Sequence, residues 1–310
     1  MKKYAYGFPL NKKGNQYKKT LDNFWKNKIN VDELISETND IENSIIKIYK
    51  DVVDWYPTNE MTLYDKMFDM AILVGRYEPD DLNHYFKLCR GKNSLETKKW
   101  FDIDYEYVVP DFSDYRWEEP KFFYQTRFKI TGENPHLIGP FTFLKLSKGI
   151  PEDKFEEFAL QLAEIYKNII GDYTTVHIDE PAFTMNLNND EIKCIKKIYD
   201  ILSKTRINTE INVFTYHGEV DWLEDLLSLP VNGIGLDYIN NLNLIDFKTN
   251  KTLFIGFIDD DKLSNKQINN IKYLDKNINN LYICNRKPLY YYDDYDKILD
   301  NFNGLERVDE

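Results

Sequence analysis

Short apolar runs alternate with amphipathic stretches along most of this chain. The runs at 4–8, 105–109, 136–139, 176–178, 211–216, 233–236, 253–258 and 281–284 predict strands. Most are apolar at consecutive positions, the pattern of a parallel strand covered on both faces rather than a half-exposed one. Between them the period becomes helical. Over 153–170, Phe155, Phe158, Ala159, Leu162, Ala163, Tyr166, Ile169 and Ile170 recur three and four apart and make one apolar face. The stretch 191–203 repeats this with Ile192, Ile195, Ile198, Tyr199 and Leu202. The stretch 220–227 does so with Trp222, Leu223, Leu226 and Leu227. A weaker helix is predicted over 264–274, with Ser264 as N-cap. Strand and helix in alternation imply βαβ units and a parallel sheet. Eight strand candidates in 310 residues predict a (β/α)8 TIM-type barrel, with a doubly wound open sheet as the runner-up. Neither a linker nor a repeat divides the chain, so residues 1–310 are expected to form one domain.

Composition narrows the reading. Hydrophobic residues make up 42% of the chain and aromatic residues 15%, which excludes disorder. No apolar run approaches the ~18–20 residues of a membrane span, and no signal peptide follows Met1-Lys2-Lys3. Cys89, Cys194 and Cys284 are odd in number and widely spaced, which points to a reducing cytoplasm rather than a disulfide framework. The net charge of -12 argues against a nucleic-acid partner. That charge is uneven. Residues 1–28 carry eight lysines and one acid, Asp22, a basic segment on an acidic body. It reads either as an anion-binding patch or as a lysine-rich solvated helix face.

In a barrel, chemistry sits where strands end. Here those ends read Asp179-Glu180-Pro181, Tyr216-His217-Gly218-Glu219, Asp237, Asp259-Asp260-Asp261 and Cys284-Asn285-Arg286. Singly, such acids commonly cap the following helix. As a set they imply a polar pocket. His177-x-Asp179 and His217 invite a metal reading, but no cysteine lies within two residues of a histidine. His177 is expected to point away from its strand neighbours as a buried, hydrogen-bonded side chain, so no metal site is expected. There is no nucleophile elbow and no phosphate loop. Glu180 and Asp237 would suit a glycosidase acid pair only at a separation that sequence does not give.

Several segments in order resemble the amino-terminal domain of the cobalamin-independent methionine synthase family. They are Gly7-Phe8-Pro9 with the lysine-rich helix ending near Phe24-Trp25-Lys26, and Lys99-Trp100-Phe101-Asp102-Ile103-Asp104-Tyr105-Glu106-Tyr107-Val108-Val109-Pro110. His136-Leu137-Ile138-Gly139-Pro140-Phe141-Thr142-Phe143-Leu144, Ile178-Asp179-Glu180-Pro181-Ala182 and Leu229-Pro230-Val231-Asn232-Gly233-Ile234-Gly235-Leu236-Asp237 complete the series. The resemblance runs from residue 4 to about residue 290.

The resemblance implies a family enzyme of two similar barrels that moves a methyl group from methyltetrahydropteroyl-polyglutamate to homocysteine. The second barrel holds zinc and homocysteine, and the first helps to bind the folate. This chain resembles the first barrel alone. Where the catalytic half carries a zinc-binding His-x-Cys, this sequence reads Thr215-Tyr216-His217-Gly218. The last zinc cysteine would fall near Lys287, three positions from Cys284, and the general-acid histidine falls at Asp261. No catalytic residue and no metal are therefore expected here. Zinc is expected in a partner, a separately encoded carboxyl-terminal methionine synthase barrel. The family's folate contacts fall at Asn15, Gln16, Tyr17 and Lys18 of the first helix and at Lys99. Two lysines are kept, and the family's arginine after Gly-Phe-Pro is Leu10. Asp179 matches an amino-acid-binding aspartate of the catalytic half, so Asp179, Glu180 and Asp237 are expected to line a relic amino-acid pocket.

Three functions compete: the folate-binding component of a split methionine synthase, a non-catalytic folate or amino-acid-binding protein, and an independent enzyme using the Asp179, Glu180, Asp237 and Asp259 mouth. The first is discriminated by Lys18 and Lys99 in a chain without the zinc ligands.

Overall fold

The computed structural model describes residues 1–7, 16–101, 105–114, 132–241, 249–278, 280–292 and 294–305. In chain order the elements begin β1 (Lys2–Tyr4), α1 (Gln16–Trp25), α2 (Val31–Val52), α3 (Lys66–Leu73), α4 (Leu82–Cys89), β2 (Thr97–Lys99) and β3 (Glu106–Val108). There follow β4 (His136–Ile138), α5 (Pro140–Lys145), α6 (Phe155–Ile170), β5 (Thr175–Asp179), α7 (Asn189–Leu202), β6 (Glu210–Phe214) and α8 (Leu223–Ser228). The series closes with β7 (Gly233–Asp237), β8 (Thr252–Ile258), α9 (Asn265–Asn277), β9 (Leu281–Asn285) and α10 (Tyr295–Asn303). They group into two compact units. The first comprises Met1–Met61, Tyr216–Glu219 and Gly233–Glu310; the second comprises Thr62–Thr215 and Val220–Asn232.

In the first unit β7, β8, β9 and β1 pair in parallel, with Leu236 opposite Ile255, Ile255 opposite Ile283 and Tyr4 opposite Cys284. Tyr4 is buried among Trp55, Phe254 and Tyr282, an aromatic cluster at the base of these strands. The side chain of Asn285, at the end of β9, accepts from the Tyr6 N–H at 3.2 Å and donates to the Tyr6 carbonyl at 2.9 Å. It thereby fixes the chain leaving β1. Gly7 then turns with φ +89°, and its N–H donates to Glu60 at 2.5 Å. A Cβ there would stand 2.4 Å from the Pro288 backbone, so both the conformation and the space require glycine. α2 opens on a capping box, Asn30 with Glu33, and α9 on Ser264 with Gln267, as the sequence anticipates for Ser264.

In the second unit β4, β5 and β6 are parallel and in register: His136 lies opposite His177, and His177 opposite Asn212. Leu137, Val176, Ile178, Ile211 and Val213 alternate onto one face; His136, His177, Asp179, Asn212 and Phe214 take the other. α6 and α7 pack together, and Tyr166 of α6 donates to the Ile138 carbonyl at 2.8 Å. The run at 105–109 departs from its predicted role. It forms β3 of an antiparallel hairpin with β2, Thr97 opposite Val108. The connection between Lys99 and Glu106 is too short for the crossover that parallel pairing demands, and the Trp100 N–H closes onto the Tyr105 carbonyl at 2.8 Å. The predicted strand 4–8 shares only Tyr4 with β1, which begins at Lys2; residues 5–7 continue beyond the strand, and Phe8 lies outside the described residues. The three cysteines are buried free thiols. Among the described residues no helix is long and apolar enough to cross a membrane.

Candidate functional site

The polar residues of the second unit converge at Asp179. Because β5 alternates, His177 and Asp179 share one face, and the β4 register brings His136 beside them. Asp179 takes the His136 Nε2 on one oxygen and the His177 Nε2 on the other, each at 2.8 Å. All three side chains are buried, and the His177 ring stacks on Phe214 at 3.8 Å. Burial opposes the charge on Asp179, but the two histidines more than offset it and hold the carboxyl well below its usual range. Burial pushes His136 down to about 4, helped by the Lys66 ammonium, and lowers His177 in the same way. The cluster is thus a carboxylate between two neutral imidazoles, both donating from Nε2. His177 is buried and hydrogen-bonded, as expected, and faces away from Val176 and Ile178; residues two apart on a strand face the same way, which brings it beside Asp179. The contribution of His136 rests on strand register, for which the sequence carries no signal.

Glu180 diverges from Asp179. Its carboxylate accepts the Phe141 N–H at 3.1 Å and the Thr142 N–H at 2.7 Å in the first turn of α5, and the Tyr199 hydroxyl at 3.1 Å. Gly139, the N-cap of α5, has no side chain to do this. Glu180 is fully buried, and burial pushes its carboxyl up to about 7 against the pull of those hydrogen bonds.

In the first unit Asp237 ends β7 and is held by a fork from Arg286, Nε at 2.9 Å and Nη2 at 3.0 Å. It also accepts from the Ile239 N–H at 3.0 Å and the Asn240 amide at 2.6 Å. Arg286 Nη1 reaches Asp259. Arg286, one of the strand-end residues of the sequence, joins two of the strand-end acids, Asp237 and Asp259. All three predicted pocket residues, Asp179, Glu180 and Asp237, therefore have their oxygens engaged by protein donors. An incoming ammonium group would have to displace them.

His217 sits at φ +83°, a costly conformation for a non-glycine residue, with its Nε2 against the Tyr291 hydroxyl at 2.9 Å. Cys284 is buried, and burial pushes its thiol up, away from the thiolate that binds metal. Among the described residues the one group of three metal-capable side chains is His136, His177 and Asp179; neither His217 nor Cys284 belongs to it. These two positions do not fit the zinc of the family's catalytic half.

Of the predicted folate contacts, Gln16 and Lys18 are exposed on α1, while Tyr17 is buried on the same face as Thr20, Leu21 and Phe24. Lys99 is exposed at the end of β2. Asn15, Lys12, Lys13 and Leu10 lie outside the described residues.

The family described as the cobalamin-independent synthase, N-terminal domain, matches residues 2–280. The 5-methyltetrahydropteroyltriglutamate–homocysteine methyltransferase of Thermotoga petrophila is 33% identical over 288 residues, 83% of this chain and 38% of its own length. That of Listeria monocytogenes is 30% identical over 82% of this chain and 37% of its own length. That of Thermotoga maritima is 30% identical over 94% and 43%. The chain spans roughly two fifths of the length of these relatives. The structure of a B12-independent methionine synthase from Shewanella sp. W3-18-1, in complex with selenomethionine, matches with a TM-score of 0.63 at 16% identity. The match covers 91% of this chain and 89% of that one, and it establishes the TIM-type α/β fold class.

Proposed function

This chain belongs to the family of cobalamin-independent synthase N-terminal domains, and from that premise we propose that it is the folate-binding component of a methionine synthase. It would bind methyltetrahydropteroyl-polyglutamate and act with a separately encoded, zinc-bearing carboxyl-terminal barrel. The observation that carries this reading is the match to the cobalamin-independent synthase N-terminal domain over residues 2–280. The donor set at His217 and Cys284 supports it, because it does not suit the catalytic zinc; the metal chemistry belongs to the partner, and the share of this chain is binding. Lys18 and Lys99 each present an exposed ammonium suited to the carboxylates of a glutamate tail. Such contacts are charge-assisted, and salt screens them.

The test is methionine formation from homocysteine and methyltetrahydropteroyl-triglutamate, assayed with this chain alone and mixed with a zinc-loaded carboxyl-terminal barrel. Turnover is expected in the mixture only, and reduced by Lys18→Ala or Lys99→Ala. Turnover by the chain alone would overturn the reading. Folate binding with no gain of turnover on mixing would transfer it to a non-catalytic folate-binding protein.

A further inference from the structure

We propose that His136, His177 and Asp179 form a binding site for a divalent cation of the zinc class, clipping β4 to β5. The donors are two imidazole nitrogens and one carboxylate oxygen, all within 4.8 Å of one another. Two histidines and a carboxylate are a recognised three-ligand set for zinc, leaving a fourth position for water. Bonds of about 2.0–2.1 Å in a tetrahedron place donors roughly 3.4 Å apart. The widest pair here therefore closes by at most about 1.4 Å, within the reach of side-chain torsions.

The setting favours the ion in three ways. The ligands come from paired strands in register, and the His177 ring is already fixed against Phe214, so little side-chain freedom remains to be lost. Nε2 of each histidine already stands 2.8 Å from an Asp179 oxygen, so the donor atoms converge without an ion, and a cation would take the place of the two Nε2 protons between them. The site is closed to solvent, His177 and Asp179 being 0% exposed, so the attraction of the ion for the carboxylate is weakly screened. One group opposes it. The Lys66 ammonium acts on both histidines, and its field disfavours a second cation. The site shares no residue with the His217 and Cys284 positions or with Lys18 and Lys99.

The experiment is zinc and cobalt(II) titration of the whole chain after chelator treatment and desalting, with no partner and no folate. One equivalent of zinc is expected, with cobalt giving the visible bands of a four-coordinate site. His136→Gln and His177→Gln should each weaken binding by more than the roughly 10–100-fold that loss of an outer hydrogen-bond partner costs. His84→Gln, at an exposed histidine, should change nothing, and Lys66→Gln should tighten binding. Zinc-edge X-ray absorption of the unsubstituted chain covers the case in which a variant misfolds: two imidazoles and no sulfur around the metal are expected. No stoichiometric binding, binding that survives both histidine substitutions, or a thiolate-bound ion would each overturn the proposal.

Discussion

The carboxylate of Glu180 stands where a side chain on Gly139 would stand. A Cβ built on Gly139 would lie 2.1 Å from the Glu180 carboxyl carbon. The glycine leaves α5 without a side-chain cap, and the space it leaves admits, from 41 residues further along the chain, the carboxylate that supplies one. Glu180 is thus a helix cap, as the ordinary reading of strand-end acids anticipates, but for α5 rather than for the helix that follows it.

Gly139→Ala should therefore destabilise the protein by about 2 kcal/mol or more, through the forced displacement of Glu180 or of the backbone. Glu180→Ala should cost about 2–4 kcal/mol, since it leaves the Phe141 and Thr142 N–H groups without their acceptor in a buried place. Glu180→Gln, which keeps an accepting oxygen, should cost less than Glu180→Ala. Urea denaturation of the three variants measures the order.

Arg286 is the cation that balances Asp237, whose side chain is 6% exposed. Removing it should cost on the order of 3 kcal/mol in Arg286→Ala, the low end for a broken buried pair because the guanidinium is itself 22% exposed. Arg286→Lys should recover less than half of that, since an ammonium cannot reproduce the two-pronged contact or reach Asp259 at the same time. Thermal melting of the two variants at fixed pH distinguishes them.

Burial pushes the Asp65 carboxyl up to about 7 and Asp69 up to about 6, despite hydrogen bonds from Tyr105 to the first and from Thr62 and Tyr85 to the second. The folded chain then holds these protons more tightly than the unfolded chain, where an aspartate loses its proton near 3.9. Their contribution is fully present below pH of about 4 and falls as pH rises through about 7. Asp65→Asn keeps the acceptor that caps α3 at the Phe68 N–H and removes the titration. The fall in stability between about pH 4 and 7 should be shallower in Asp65→Asn than in the parent, as followed by denaturation at a series of pH values.

For the folate proposal, Lys18→Ala and Lys99→Ala should each weaken binding of the triglutamate several-fold at low salt, about 0.5–1 kcal/mol for an exposed ionic contact. The loss should shrink as salt rises and be smaller for the monoglutamate, which carries fewer carboxylates. Titration of both ligands at two ionic strengths measures it.

Much of the fold is legible in the amino-acid order because it follows from local rules. The apolar runs of β5, β6, β7, β8 and β9 and the apolar faces of α6 and α7 are written in successive residues, and a strand or helix needs no distant partner to show its period. The Ser264 cap of α9 is legible for the same reason. The run at 105–109 shows where this ends: its pattern indicates a strand, but whether it pairs parallel or antiparallel depends on the length of the connection and on what lies beside it. Among the helices absent from the predicted set, α3 and α5 are 8 and 6 residues long and mostly buried, with little amphipathic contrast to reveal them. α4 offers only two turns of a one-faced pattern, Leu82, Tyr85, Phe86 and Cys89. The 22-residue α2 buries few positions, Leu34, Thr38, Ile45 and Tyr49, spread thinly along it.

The family, too, was readable from Lys99-Trp100-Phe101, Ile178-Asp179-Glu180-Pro181-Ala182 and their companions, because such motifs are contiguous. The surroundings of the acids were not. Asp179, Glu180 and Asp237 look alike as strand-end carboxylates, yet one lies between two histidines, one caps a helix and one is clasped by an arginine. Sequence determined which residues are acids, which segments are strands and which family the chain resembles. Tertiary structure alone decided what each acid meets, because His136, Gly139 and Arg286 reach their partners across 43, 41 and 49 residues through strand register and helix placement, and the charge state of a buried carboxyl follows from those partners.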